Sequence, residues 1–177
     1  MDVIAPTQKT ESLLRSYGVT KPISIIPTGI NIEHFRKENY TKEEILALRQ
    51  SLGLDADTPV ILSLGRVAKE KSIDTIISAL PALLKKLPSA KMVIVGEGME
   101  LQNWRSYAES LGVIDHIIFT GGKPWAEIDK YYQLGNIFCS ASVSETQGLT
   151  FAEAMAAGIP VVAKKDECIE NIIHHNE

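Results

Sequence analysis

Short apolar runs rich in β-branched residues alternate along the chain with longer stretches in which apolar residues recur every three or four positions. The runs are residues 23–26 (ISII), 60–64 (VILSL), 92–95 (MVIV), 117–119 (IIF), 137–139 (IFC) and 161–163 (VVA). Gly or Pro punctuates the alternation, which predicts repeated β-α-β units. Most runs are apolar at consecutive positions, so both faces of each strand are to be covered. That pattern belongs to a parallel sheet with helices on each face and right-handed crossovers. The expectation is an α/β fold, a doubly wound parallel sheet.

The intervening stretches carry helix signals. Thr41 and Glu44 form a capping box opening a helix through Ile45, Leu46 and Leu48, and Gly53 ends it. Ser72 is expected to cap a helix bearing Ile73, Ile76, Ile77 and Leu80, which Pro81 should kink or split. Further helices are expected over 100–111, stopped by Gly112, and over 124–134, with Pro124 near the first position. Another follows Gly148 and ends at Gly158, and a weaker one holds Ile169, Ile172 and Ile173. Residues 2–6 (DVIAP) read as a strand tip without a preceding unit.

With 177 residues, 45% of them hydrophobic and 23% charged, the chain can build a full core without staples. A net charge of −4 argues against a protein that binds by neutralising nucleic-acid phosphates. Cys139 and Cys168 have neither the number nor the spacing of a disulfide framework or zinc site, so a reducing, cytoplasmic setting is expected. No apolar run approaches the roughly 20 residues that span a bilayer, and the first residues lack a signal-peptide pattern. No boundary is evident within residues 20–177, while both ends read as cut from something longer.

Ligands of open parallel sheets bind beyond the carboxyl ends of strands, on loops that lead into helix N-termini. After Leu64 comes Gly65-Arg66-Val67-Ala68-Lys69-Glu70-Lys71-Ser72. A turning glycine and three cations ahead of a helix can hold an anion with two phosphates. The same residues also suit a solvated basic loop whose charge Glu70 offsets. After Val95, Gly96-Glu97-Gly98 opens like a dinucleotide fingerprint, but Leu101 stands where the third glycine is needed, which disfavours an NAD site. Gly96 and Gly98 fit either close approach by a ligand or a plain tight turn.

The densest constellation is residues 144–160 (SETQGLTFAEAMAAGIP). Glu145 falls in a loop just before a helix and Glu153 in its first turns. Both acids can then reach one ligand beside the helix N-terminus, where free N–H groups and the positive end of the dipole attract phosphate. Two plainer readings compete: Thr150-x-x-Glu153 matches a capping box, and Glu145 fits a solvated loop acid. Two carboxylates repel a diphosphate unless they accept hydrogen bonds from hydroxyls while Arg66 and Lys71 hold the phosphates. A sugar nucleotide offers both kinds of group.

Gly65-Arg66 with Lys69-Glu70-Lys71, Val95-Gly96-Glu97-Gly98, Phe119-Thr120-Gly121, and Glu145 and Glu153 with seven residues between them resemble, in order and spacing, the C-terminal half of retaining glycosyltransferases of the GT-B fold. Residues 26–31 (IPTGIN) with Phe35 extend the likeness over nearly the whole chain. Residues 144–150 (SETQGLT) and 69–72 (KEKS) look most like bacterial glucosyltransferases that build glycosyldiacylglycerols. The sequence departs from the wider pattern at Gln147, where an aromatic is common, at Ser72, where glycine is common, and at Asn31, where aspartate is usual.

The resemblance implies a Rossmann-like donor-binding domain over 21–177, one half of a GT-B fold, with residues 1–20 ending an N-terminal domain or joining the two. It implies that Arg66 and Lys71 grip the donor diphosphate and stabilise charge as the glycosidic bond breaks. Glu145 would bind sugar hydroxyls and Glu153 the ribose. Thr146, Gln147, Gly148, Leu149 and Thr150 would line the donor, with backbone amides of 148–150 on sugar and phosphate. Gly65, Gly96 and Gly98 would shape the nucleotide pocket, with Thr120 and Gly121 near the base. The acids act as acceptors rather than as a hydrolase's donor and nucleophile pair. No cofactor or metal is expected: the partners are a UDP-sugar, the acceptor domain of the same protein and, for a lipid acceptor, the inner membrane face. A fragment is expected to bind donor weakly without transferring it. A nucleotide-sugar epimerase and a noncatalytic nucleotide-binding module are the alternatives. Trp104, Tyr107, Trp125, Tyr131 and Tyr132 read as packing residues, and His34, His116, His174 and His175 as surface groups.

Overall fold

The computed structural model describes residues 2–169 together with Ile172 and Ile173. Five of the apolar runs form one parallel sheet: β3 (Val60–Leu64), β4 (Lys91–Val95), β5 (Ile117–Gly121), β6 (Ile137–Ser140) and β7 (Val161–Ala163), in the order β5-β4-β3-β6-β7. Consecutive strand residues point to opposite faces, and β4 shows why each face had to be apolar. Val93 and Val95 enter one core with Phe138, Tyr132 and Phe151, while Met92 and Ile94 enter the other with Ile73, Ile77 and Ala108. Met92, Val93, Ile94 and Val95 are each at most 1% exposed. The expected doubly wound α/β architecture is the observed one.

The helices follow their sequence signals with two exceptions. In α2 (Lys42–Ser51), Thr41 Oγ1 accepts from the Glu44 N–H at 3.2 Å and Glu44 Oε2 accepts from the Thr41 N–H at 2.8 Å, the expected capping box. Ser72 does not cap α3 (Ile73–Leu84) with its side chain; its backbone sits in the left-handed region at φ 49°. The preceding 3-10 turn, Lys69–Lys71, brings the chain into the helix through this residue. Pro81 neither splits nor ends α3. Ile73, Ile76, Ile77 and Leu80 bury one helix face, and that packing offsets the lost Pro81 hydrogen bond. α4 (Leu101–Ser110) and α5 (Trp125–Tyr132) lie where expected, with Pro124 at the cap position of α5. The helix expected to hold Ile169, Ile172 and Ile173 lies partly outside the described residues; within them, the Ile172 and Ile173 N–H groups donate to Ile169 O at 2.9 and 2.8 Å.

The run at residues 23–26 is the main departure. It does not join the large sheet: β2 (Ile23–Ile25) pairs in parallel with β1 (Val3–Ala5), and α1 (Gln8–Ser16) connects them. Thr7 Oγ1 caps α1 by accepting from the Thr10 N–H, but no residue of α1 is buried, and Leu13 and Leu14 are its only apolar residues. This unit crosses residue 20. Among the described residues no helix is long and apolar enough to cross a membrane.

In this strand order the chain leaves β3 toward β4 on one side and returns to place β6 on the other. The carboxyl ends of β3 and β6 therefore flank the topological switch point, where such sheets open a crevice. Residues 65–72 and 141–148 are the loops above it.

Candidate functional site

The loop after β3 is shaped by close backbone approach. Gly65 N–H donates to Val95 O at 2.9 Å and Val67 N–H to Glu97 O at 2.8 Å, so the β3 and β4 loops run side by side. A Cβ on Gly96 would lie 1.9 Å from Gly65 O, and one on Gly98 would lie 2.1 Å from Val67 O. What comes close to these two glycines is thus the neighbouring loop's backbone. They hold Gly65 and Arg66 over the crevice and do not line it.

Two adjoining recesses meet above the switch point. Gly65, Arg66, Lys71, Ser63 and Ser140 line the first, with Glu145 and Thr150. Glu145 and Thr150 also line the second, with Thr146, Gln147, Gly148 and Leu149 and, from the amino-terminal part, Pro6 and Thr28. Most residues singled out in the sequence therefore come together. Ser63, Ser140, Pro6 and Thr28 were missed; for Ser140 a signal existed, a hydroxyl ending an otherwise apolar strand.

Lys71 Nζ donates to Glu145 Oε1 at 2.6 Å, with 13% of the glutamate side chain exposed. Glu145 is thus a held partner and not a solvated loop acid. Arg66 pairs with Glu70 at 2.7 Å at the rim, its side chain 71% exposed. That pair matches the plainer basic-loop reading, and its exposure leaves the guanidinium free to turn toward an incoming anion at small cost.

Gly148 has φ 73° and precedes α6 (Leu149–Ala156) with no side-chain cap. A Cβ there would sit 2.7 Å from Phe151 and 2.8 Å from Ile169, so glycine is required both by conformation and by space. The uncapped first turn leaves N–H groups at Leu149 and Thr150 for a ligand, beside Lys71 and Glu145.

Glu153 departs from expectation. It is 4% exposed, and Tyr132 donates its hydroxyl to Glu153 Oε2 at 2.6 Å. Gly148, not Thr150, is the cap of α6, so the capping-box reading fails as well. Burial pushes the Glu153 carboxyl up, although the Tyr132 hydroxyl and nearby His34 favour its charged form; burial and that carboxylate push Tyr132 well above its usual range. The two acids do not line one recess: Glu153 shares the face of α6 turned to the core with Phe151 and Ala154.

Thr120 and Gly121 end β5, apart from both recesses. Thr120 Oγ1 donates to Gly121 O at 2.9 Å, and Gly121 O accepts the Gly96 N–H at 3.0 Å. The aromatic packing readings hold for buried Tyr131 and Tyr132 and partly buried Trp104 and Tyr107, while Trp125 is 64% exposed. His34 is no simple surface group: its ring packs against Phe35 and Trp125, with Nε2 3.6 Å from Asp129. His116 Nδ1 lies 3.0 Å from Ala90 O, and His174 and His175 fall outside the described residues. Among the described residues no group of three or more His, Cys, Asp or Glu could hold a metal ion.

The arrangement offers two cations and a helix N-terminus to an anion, with one carboxylate alongside as a hydrogen-bond acceptor. A family model described as "Glycosyl transferases group 1" matches residues 44–177. Among curated proteins, an alpha-monoglucosyldiacylglycerol synthase of Streptococcus pneumoniae is 36% identical over 97% of this chain and 39% of its own length. A protein of the same name from Acholeplasma laidlawii is 34% identical over 96% of this chain and 43% of its own length. The chain thus spans about two fifths of the curated relatives it matches. Among solved structures, HepE of Anabaena in complex with UDP-glucose superposes with a TM-score of 0.84, covering 98% of this chain and 47% of that one; at 23% identity this likeness speaks to the fold.

Proposed function

The chain belongs to the group 1 glycosyl transferases, and from that premise we propose that it is the donor-binding part of an enzyme that transfers a hexose from a UDP-sugar. The observation that carries the proposal is the Lys71–Glu145 pair, 2.6 Å apart beside the uncapped N-terminus of α6 at the sheet's switch point. Lys71, Arg66 and the N–H groups of Leu149 and Thr150 bind the two phosphates. Glu145, freed from part of its hold on Lys71, accepts hydrogen bonds from sugar hydroxyls.

In this reading the chemistry is leaving-group departure. As the bond from the anomeric carbon to the phosphate oxygen lengthens, negative charge grows on the diphosphate. Fixed cations and aligned N–H groups stabilise that charge more than they stabilise the bound donor, which lowers the barrier. Glu145 orients the sugar; retention of anomeric configuration is part of the same proposal. The names of the two synthases support glucose as the sugar and a diacylglycerol-type lipid as the acceptor. The acceptor site would lie on a further domain facing this crevice, so this chain alone binds donor weakly and transfers nothing. Residues 21–177 are proposed as the donor domain proper.

The test is a 1H–15N spectrum of the chain titrated with UDP-glucose. Shifts concentrated at the amides of residues 65–72 and 145–150 are expected. Shifts confined to other strand ends, or none at millimolar ligand, would overturn the proposal.

A further inference from the structure

The loop that carries Glu145 has no regular structure of its own, and apart from the Lys71–Glu145 pair at 2.6 Å its ties to the large sheet are slight: Ser142 Oγ reaches Glu70 O at 3.5 Å and Ser140 Oγ accepts from the Ser142 N–H at 3.4 Å. Its remaining bonds come from the amino-terminal part of the chain. Thr7 Oγ1 donates to Thr146 O at 2.7 Å, and Lys9 Nζ donates to Val143 O at 3.3 Å. The Gln147 amide grips one peptide unit from both sides: Nε2 donates to Thr28 O at 2.6 Å, and Oε1 accepts from the Thr28 N–H at 3.0 Å. Contacts at 143, 146 and 147 thus bracket Glu145.

Lys9 is itself fixed. Both carboxylate oxygens of Asp166 accept from its Nζ, at 2.7 and 2.6 Å. The Asp166 side chain is 5% exposed, and its Oδ1 also accepts the Cys168 N–H at 2.9 Å. One ammonium therefore joins α1, the turn after β7 and the Glu145 loop. A largely buried ion pair adds little net stability against an apolar replacement, so what this pair contributes is a link between the three segments.

We propose that Lys9 and Gln147 are positioning residues: they hold the Glu145 loop against the β1-α1-β2 unit, so that the placement of this unit sets where Glu145 stands relative to Lys71. Gln147 then acts through the Thr28 backbone and not by touching the sugar. A movement of the amino-terminal unit shifts the loop, and with it the donor site. The role given to Glu145 rests on the function proposed above; the statement about loop position does not.

The experiment measures two things on the whole chain and on the variants Lys9→Met, Lys9→Arg and Gln147→Ala. Amide hydrogen exchange in the free protein should quicken about tenfold over residues 143–148 in Lys9→Met and Gln147→Ala while the amides of β3 and β4 stay unchanged, and Lys9→Arg should restore protection. Unchanged exchange in the loop, or acceleration spread evenly over the sheet, overturns the proposal. Gln147 bonds an exposed segment, so its variant decides the matter should Lys9→Met fail to fold. UDP-glucose affinity should fall about tenfold in the same two variants, and that loss should vanish in a Glu145→Gln background. An equal loss in that background shows that the contacts do not act through Glu145 and also overturns the proposal. Failure of the unmodified chain to bind UDP-glucose would remove the proposed function, while the exchange measurement would still decide the positioning.

Discussion

Lys71 and Arg66 are both cations at the crevice, but they stand in different energetic positions. Arg66 spans an exposed pair with Glu70, so Arg66→Ala should change stability by less than about 0.5 kcal/mol in chemical denaturation while weakening donor binding. Lys71 is the partner of a mostly buried carboxylate. Lys71→Met leaves Glu145 without its donor and should cost about 1–3 kcal/mol by the same measurement. Glu153 carries a signed pH dependence. Its folded value is raised above the ordinary 4.5, chiefly by burial, so the native state holds a proton that the unfolded chain has released. Stability should therefore fall as pH rises from 4.5 through the raised value and level off above it. Glu153→Gln should abolish that fall in urea titrations run from pH 4 to 8; an unchanged profile would assign it to another group. The sequence made both glutamates legible as a pair with seven residues between them, yet not their fates. Spacing puts Glu153 one turn into α6, whereas the presence of Tyr132 across the core is a fact of tertiary packing.

At the scale of elements, α3 and α6 both begin at residues with positive φ, Ser72 at 49° and Gly148 at 73°. For Gly148 this costs little; for Ser72 the side chain meets the steric penalty of the left-handed region. Ser72→Gly should stabilise the protein by about 0.5–1 kcal/mol, the relieved strain exceeding the entropy that a glycine loses on folding. Thermal unfolding checks the sign, and a lowered midpoint would contradict it. The sequence made the start of α3 legible but assigned Ser72 the wrong task, because a serine before a helix is ordinarily a side-chain cap. It also overweighted Pro81, whose local cost is outweighed by the buried face of Ile73, Ile76, Ile77 and Leu80. The capping box of α2 was read correctly, since both of its bonds lie within four consecutive residues.

For the whole molecule, the β5-β4-β3-β6-β7 order brings loops from distant parts of the sequence to one crevice. The parallel sheet was legible because consecutive apolar positions have no other economical use than burial on two faces. The partner of residues 23–26 was not: pairing is a long-range choice, and β2 is as apolar as strands that joined the large sheet. Nor did any local pattern foretell that Lys9 would reach Asp166. Burial opposes the charged form of that aspartate, but hydrogen bonds from Lys9 and the Cys168 N–H hold its carboxyl below the ordinary 3.8. The stability this pair contributes is present above 3.8 and is lost as pH falls through the lower folded value. The central claim concerns the crevice itself, that Lys71, set beside Glu145 and the start of α6, holds a nucleotide sugar by its diphosphate. Calorimetric titration of UDP-glucose into the chain and into its Lys71→Met variant tests it most directly. Saturable binding at about millimolar, near 4 kcal/mol, that disappears in a variant still folded by circular dichroism is the predicted result; equal binding by both proteins, or none by the unmodified chain, would contradict it.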